Sequence, residues 1–165
     1  ETAAVQFDPA RIAFARPGMA ITLNGVAQGF ITDRIAARLR RFGLADVLID
    51  IGEIRGWGRS PGGGPWRVGI AGPDGDDVAE RITLTDRALA TSATFGTVMD
   101  EAGKIGHILS PATGQTASHV HQVSVSAPRA DIADGLSTAL CAMDPTDGIA
   151  ALKEFPQARL ESMVI

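Results

Sequence analysis

The chain has 165 residues, 45% of them hydrophobic, and 19 acidic against 15 basic side chains give a formal net charge of −4. This length and composition predict one globular domain with a real core rather than a disordered chain, and the acidic balance argues against nucleic-acid binding, which needs a basic surface. No run approaches the roughly 20 apolar residues of a membrane-spanning helix, and the single cysteine, Cys141, excludes an internal disulfide or a cysteine-based zinc cluster.

The first predicted elements are a strand at residues 19–23 and a helix at residues 26–42. In the helix, apolar residues recur at three- and four-residue steps with arginines between them, and Gly43 follows as a C-cap. The apolar positions are Val26, Phe30, Ile31, Ile35, Leu39 and Phe42. The pattern is that of an amphipathic helix.

The rest of the chain is predicted to consist mainly of strands and turns. Strands are expected at residues 46–51, 54–57, 66–71, 81–84, 88–91, 96–99, 105–109, 120–125 and 160–165, with turns at 58–65 and 72–75. Two more helices are expected, at residues 128–143 and 148–154. Strands in blocks with about three helices predict an α+β fold with a largely antiparallel sheet, forming a single domain over residues 1–165.

The second helix carries the sharpest chemical pattern. Asp131, Asp134 and Thr138 are three and four residues apart and therefore share one helical face. Carboxylate and hydroxyl oxygens are hard ligands of the kind that magnesium binds, especially with phosphate oxygens completing the shell. Spacing alone favours a plain solvated face, with Asp131 near the positive end of the helix.

A second candidate is the strand-to-helix turn at residues 23–29. Gly25 would let the backbone approach a ligand, and the helix N-terminus that follows offers free N–H groups to an anion. The turn lacks the Lys-Ser/Thr ending of a Walker A loop and is not a full GxGxxG motif. An ordinary strand–helix corner is an equally good interpretation.

The remaining polar and sulfur side chains give weaker signals. His107 precedes a turn at residues 110–114, where a ligand-touching side chain would be placed. His119 and His121 point to one face of a strand, and a polar strand face is favoured over a metal pair because no third ligand completes a site. Cys141 is predicted to be an inert packed thiol. Ser92 and Ser137 show no His/Asp arrangement of a hydrolase.

Five segments in chain order resemble one known family. They are QGFITD at residues 28–33, DIGEIR at 50–55, ATS at 90–92, HILSPATG at 107–114 and ADGLSTAL at 133–140. The last resembles the ADALSTAL block of the ApbE-type flavin transferases, and the fourth resembles their HIxDPxTG block. These are magnesium-dependent enzymes that use FAD to attach FMN to a threonine of another protein, so the resemblance implies an ApbE-like, T-fold-related architecture.

The resemblance implies roles for individual residues. Asp134, Thr138 and the backbone carbonyl of Gly25 match the family's magnesium ligands, and Asp134 counts as catalytic for that reason. The residues expected at the FAD site are Thr22, Gln28, His107, Ile108 and Thr113, and His107 is expected to accept the proton of the incoming threonine hydroxyl. The implied partners are FAD, Mg²⁺ and an acceptor protein.

The chain also departs from the family pattern. Gln28 replaces the usual Lys, Thr22 replaces a common Asp, and only Gly52 remains of paired glycines; Ala93 and Ser110 replace a Gly and an Asp. These changes weaken expected contacts to FAD more than contacts to the metal. The resemblance covers only the C-terminal half of the family pattern, and the chain opens at Glu1 without Met, so we expect a processed or trimmed product.

Three functions therefore remain open. The first is FMN transfer from FAD to an acceptor threonine with release of AMP. The branch of the ApbE-type family that serves nitrous-oxide reductase maturation is one candidate for the subgroup to which this chain would then belong. The second is a magnesium-dependent FAD pyrophosphatase that gives FMN and AMP. The third is a non-catalytic FAD-binding or maturation module. The resemblance implies export to the periplasm, and the sequence leaves the oligomeric state open.

Overall fold

The computed structural model describes residues 4–72, 75 and 77–165, so part of the turn predicted at 72–75 lies outside the described residues. The strands are β1 (Val5–Phe7), β2 (Ile12–Phe14), β3 (Val47–Asp50), β4 (Ile54–Trp57), β5 (Trp66–Ala71), β6 (Val78–Leu84), β7 (Arg87–Ala93), β8 (Gln122–Ala127) and β9 (Arg159–Val164). The helices are α1 (Asn24–Arg41), α2 (Ala130–Ala142) and α3 (Pro145–Leu152). No helix in the described ranges is long and apolar enough to cross a membrane.

A five-stranded antiparallel sheet forms the centre of the fold, in the order β3-β4-β7-β8-β9. Every residue of β8 is buried, because this strand has neighbours on both sides and a helix over one face. The hairpins β1-β2 and β5-β6 are separate two-stranded sheets. The predicted α+β class with an antiparallel sheet and three helices is confirmed.

Helix α2 packs on β7 and β8, and α1 packs on α2. The contact between the helices is close because small residues meet there. A Cβ atom added at Gly29 would lie 2.3 Å from the carbonyl oxygen of Ala130, and one added at Gly25 would lie 3.0 Å from Cγ2 of Thr138. Only glycine permits this approach, which brings the first turn of α1 onto the middle of α2.

The apolar stripe of α1 is turned outward. An amphipathic helix ordinarily buries such a stripe, yet the buried residues of α1 are Gly29, Thr32 and Ala36. Five of the six apolar positions are exposed by 37–70% of their surface, namely Val26, Phe30, Ile31, Ile35 and Phe42. The large side chains point away because the close α1–α2 contact accepts only the small face of α1.

The structure corrects several predicted elements. Residues 19–23 form no strand, and Ile21 and Leu23 there are exposed. The strands expected at 96–99 and 105–109 reduce to two isolated bridges, Val98 with Gly106 and Leu109 with Thr116. Hydrophobic periodicity could not separate these segments from strands, because only a pairing partner makes an extended apolar run into a sheet.

Two further elements differ from the prediction. The β1-β2 hairpin was not predicted, because its three-residue strands are too short to show a pattern. Helix α3 begins at Pro145 rather than near residue 148. Its N-cap is Asp144, whose carboxylate accepts from the backbone N–H of Thr146 at 2.9 Å. An Asp-Pro pair is a standard helix start.

Candidate functional site

A cavity of about 510 Å³ lies where the start of α1, the middle of α2 and the end of β7 meet. Its lining residues are Thr22, Asn24, Gly25, Gln28, Glu53, Thr91, Ser92, Ala93, Gly96, Thr97, Met99, His107, Ile108, Asp134 and Thr138. All but one of the residues expected at the site are among them. The exception is Thr113, which is exposed and whose hydroxyl accepts from the backbone N–H of Gln115 at 3.2 Å.

Asp134 stands at the crossing of the two helices and is only 4% exposed. Its Oδ2 accepts a hydrogen bond of 2.9 Å from the backbone N–H of Gly29. Burial is the main reason that its pKa lies above the ordinary value; the bond from Gly29 acts in the opposite direction, and Asp131 raises the pKa further. The carboxylate is therefore oriented by the backbone of α1, with its second oxygen left for a ligand.

The hydroxyl of Thr138 is oriented by that of Ser92, which in turn is oriented by the hydroxyl of Ser137. The hydroxyl of Ser137 donates to the backbone carbonyl of Asp134 at 3.0 Å, so in its 2.8 Å contact with Ser92 it is the acceptor. Since the one proton of Ser92 is used there, Thr138 is the donor in its 3.1 Å contact with Ser92. The lone pairs of the Thr138 hydroxyl are thereby free to face a cation.

The backbone carbonyl of Gly25 completes this group of oxygens. In an α-helix the carbonyl of residue 25 faces the N–H of residue 29, and the Gly29 N–H donates to Oδ2 of Asp134, so the Gly25 carbonyl lies on the side of α1 that faces this carboxylate. The Cβ position of Gly25 lies 3.4 Å from Oγ1 of Thr138, which places the two residues side by side. A carboxylate, a hydroxyl and a carbonyl oxygen therefore converge, which is a donor set that fits Mg²⁺.

Of the two aspartates that share one face of α2, only Asp134 belongs to this donor set. Asp131 does not line the cavity, because its carboxylate is paired with the exposed Arg129. The side chain of Asp131 is only 16% exposed, so it is not the solvated side chain that spacing alone favoured, whereas Asp134 and Thr138 reach the cavity. No group of three or more His, Cys, Asp or Glu side chains suited to a metal occurs among the residues that the structure describes.

His107 lines the same cavity from the loop that follows β7. Its Nδ1 is 3.1 Å from the backbone carbonyl oxygen of Thr97, which also accepts the backbone N–H of His107. A carbonyl oxygen can only accept, so Nδ1 carries the proton and Nε2 presents a lone pair. The ring is exposed and can therefore act as a proton acceptor, while its neighbour Ile108 is buried and anchors the loop.

Gln28 and Thr22 border the cavity at the entrance to α1. Thr22 accepts from the backbone N–H of Asn24 at 3.3 Å, which holds the turn before the helix. Gln28 lies under the β3–β4 hairpin, since a Cβ atom added at Gly52 would meet its Nε2 at 2.9 Å. The positive φ of Gly52, +111°, is a second reason for glycine at this position.

Glu53 is a site residue that sequence reasoning missed. A glutamate in a hairpin turn is ordinarily solvated, but this one is 5% exposed and lines the cavity. Burial, followed by the charges of Asp134 and Asp50, raises its pKa to about 8. The available signal was its position directly after Gly52 in the DIGEIR segment.

The other candidate side chains lie outside this cavity. His119 and His121 are exposed just before β8, which agrees with a polar surface. Cys141 is fully buried, and burial raises the pKa of its thiol to about 11. Both properties agree with the predicted packed, unreactive thiol.

Comparison with known proteins gives a consistent result. The family model described as "ApbE family" matches residues 1–163. A FAD:protein FMN transferase of Haemophilus influenzae is 32% identical over 139 residues, covering 81% of this chain and 40% of that protein. The one of Treponema pallidum is 32% identical over 161 residues, covering 90% and 44%.

Solved structures show the same relationship. The ApbE protein of Thermotoga maritima superposes with a TM-score of 0.84 at 33% identity, covering 97% of this chain and 54% of that one. The flavinyl transferase ApbE of Pseudomonas stutzeri, in its apo form, gives 0.77 at 30% identity, covering 97% and 51%. The chain thus spans less than half the length of these curated relatives and about half of these solved chains.

Proposed function

Because this chain belongs to the ApbE family, we propose that it carries the cation-binding and proton-accepting part of a flavin transferase that moves FMN from FAD to a threonine of an acceptor protein. The observation that carries this proposal is the convergence of Asp134, Thr138 and the Gly25 carbonyl on one cavity that His107 also lines. The relatives named FAD:protein FMN transferase support the same reaction.

Mg²⁺ is the proposed cofactor, held by Asp134, Thr138 and Gly25. When bound, such a cation stabilises negative charge on phosphoryl oxygens and orients them for displacement. Asp134 contributes the charge that holds the cation, and the backbone N–H of Gly29 keeps that carboxylate in place. The Ser92–Ser137 pair keeps the hydroxyl proton of Thr138 turned away from the cation.

His107 is proposed as the proton acceptor. The threonine hydroxyl of the acceptor protein attacks the FMN-side phosphorus of FAD, and its proton passes to Nε2 of His107. The new bond joins the threonine oxygen to phosphorus, the pyrophosphate bond breaks, and AMP leaves with the bridging oxygen. The Thr97 carbonyl holds the protonated Nδ1, so the free nitrogen is the one presented to the substrate.

The same residues would support hydrolysis if water took the place of threonine. The product would then be free FMN with AMP, as in a pyrophosphatase. The exposed position of His107 allows either nucleophile to approach.

A non-catalytic FAD-binding or maturation module is the third possibility. It is motivated by Gln28 and Thr22, which stand where the family pattern has Lys and Asp.

One assay separates these three functions. The protein is incubated with FAD, Mg²⁺ and an acceptor protein that carries the target threonine, and AMP and acceptor mass are measured by chromatography and mass spectrometry. AMP with flavinylated acceptor establishes the transferase, AMP with free FMN establishes the pyrophosphatase, and flavin binding without AMP establishes the module. Absence of both AMP and flavin binding contradicts the proposal.

Export to the periplasm, as the resemblance implies, is part of this proposal. Fractionation of cells that make the full-length protein, with detection in the periplasmic and cytoplasmic fractions, is its test.

A further inference from the structure

Glu53 has an unusual position for a charged side chain. It lies in the turn between β3 and β4, 5% exposed, and lines the same cavity as Asp134. Its Oε2 is buried and has no hydrogen-bond partner among the described residues. A buried carboxylate oxygen without a partner is costly, so its retention at this place calls for a group that binds it.

The hairpin turn is built to direct this side chain inward. Gly52 adopts a φ of +111°, and its Cα lies against the amide of Gln28, where a Cβ atom would be only 2.9 Å from Nε2. The turn is therefore pressed onto the first turns of α1. The residue that follows Gly52 enters the cavity beside Asp134 rather than the solvent.

Two buried carboxyl groups thus share the cavity. The ion pairs found in the described part of the chain include neither Glu53 nor Asp134. A divalent cation between them would offset both charges and supply a partner for the free oxygen of Glu53.

We propose that Glu53 is a further protein ligand of the divalent cation, in addition to Asp134, Thr138 and the Gly25 carbonyl. This inference rests on the proposed function, because it uses the same cation. With Glu53 as a ligand, the β3–β4 hairpin of the central sheet contributes to the cation site together with helices α1 and α2. A second carboxylate would also strengthen the preference for a divalent over a monovalent cation.

The test uses Mn²⁺ as the probe, with its binding measured by the loss of the free-ion EPR signal. Glu53→Gln keeps the side-chain volume and removes the charge, and Asp50→Asn removes an exposed carboxylate from the same hairpin as a matched control. We expect Glu53→Gln to weaken Mn²⁺ binding about 10- to 100-fold and Asp50→Asn to change it less than about two-fold. Thermal unfolding in EDTA establishes that each variant is folded.

The outcomes separate this inference from the proposed function. If Glu53→Gln binds Mn²⁺ as the wild type does while Asp134→Asn does not, Glu53 is not a ligand and the proposed cation site stands. If the wild type binds no Mn²⁺, both the inference and the cation site are wrong.

Discussion

The backbone N–H of Gly29 donates to Oδ2 of Asp134 at 2.9 Å, across 105 residues of sequence. This bond joins the first turns of α1 to the middle of α2 and orients the carboxylate on which the proposed cation site depends. It forms because residue 29 has no side chain: a Cβ atom there would lie 2.3 Å from the carbonyl oxygen of Ala130.

We therefore expect Gly29→Ala to force the helices apart. The obstacle is backbone, which cannot rotate away, so the free energy of unfolding should fall by at least about 2 kcal/mol and Mn²⁺ binding should be lost. Chemical denaturation and EPR measure the two effects. Gly135→Ala is the control: its Cβ would meet Cγ1 of the exposed Val26 at 3.1 Å and the Gly25 carbonyl oxygen at an ordinary contact distance of 3.9 Å, and better helix propensity should raise stability by about 0.5–1 kcal/mol. Equal losses of stability and Mn²⁺ binding in Gly29→Ala and Gly135→Ala would contradict our inference that the two helices can approach only because residue 29 has no side chain.

Asp134 and Asp131 lie one turn apart on α2 but should respond differently to the same change. Asp134→Asn removes the buried charge from the cavity and is expected to reduce Mn²⁺ affinity at least about 100-fold, with loss of metal-dependent AMP release. Asp131→Asn breaks only an ion pair with Arg129 whose arginine is exposed, so binding and stability should change little. If the Asp131 variant loses the metal as well, our placement of the cation is wrong.

His107→Gln should separate chemistry from metal binding. The exposed ring does not belong to the cation ligands, so Mn²⁺ affinity should stay within about two-fold of the wild type. Loss of the proton acceptor is expected to slow AMP release about 10²- to 10⁴-fold. A rate unchanged at neutral pH would mean that another group accepts the proton.

The thiol of Cys141 should be unreactive in the folded protein. With a pKa of about 11, roughly one thiol in a thousand is ionised at pH 8, and the side chain is fully buried. We expect no reaction with a disulfide reagent until the chain is unfolded with guanidinium. Because the folded pKa exceeds the ordinary value of 9.0, the contribution of this thiol to stability is complete below pH 9 and falls as pH rises towards 11. Cys141→Ala should reduce that alkaline loss, as measured by unfolding at pH 8 and 10.

The outward stripe of α1 should tolerate polar side chains. Ile31 and Ile35 are 53% and 37% exposed, so changing both to Gln is expected to cost less than about 1 kcal/mol. It should also reduce self-association of the chain in light scattering, since large exposed apolar patches promote it. Ala36→Gln, on the 5% exposed face of the same helix, should unfold the protein. A large loss from the double variant would show that this stripe is buried in solution.

The pattern of apolar and turn residues along the chain was enough to predict the bounds of several helices and strands. The strands β4 and β5 begin and end where the alternation and turn residues predicted, and the long helices α1 and α2 differ from their predicted bounds by one or two residues at each end. Local propensity is enough for these elements because each depends on residues close in sequence. Of the side chains in ADGLSTAL and HILSPATG that the family resemblance singled out, all but Thr113 line one cavity.

Which faces of the helices are buried depends on contacts between segments that are distant in sequence. The stripe of α1 points outward because Gly29 lets α1 approach Ala130 with its small face, and no periodicity encodes that partner. The same contact turns Asp134 into the cavity and leaves Asp131 outside it, paired with the exposed Arg129, although both aspartates share a helical face. Glu53 enters the cavity because a hairpin turn packs on a helix that begins almost 30 residues earlier. Burial and pairing between distant segments set these outcomes, and neither is a local property of the chain.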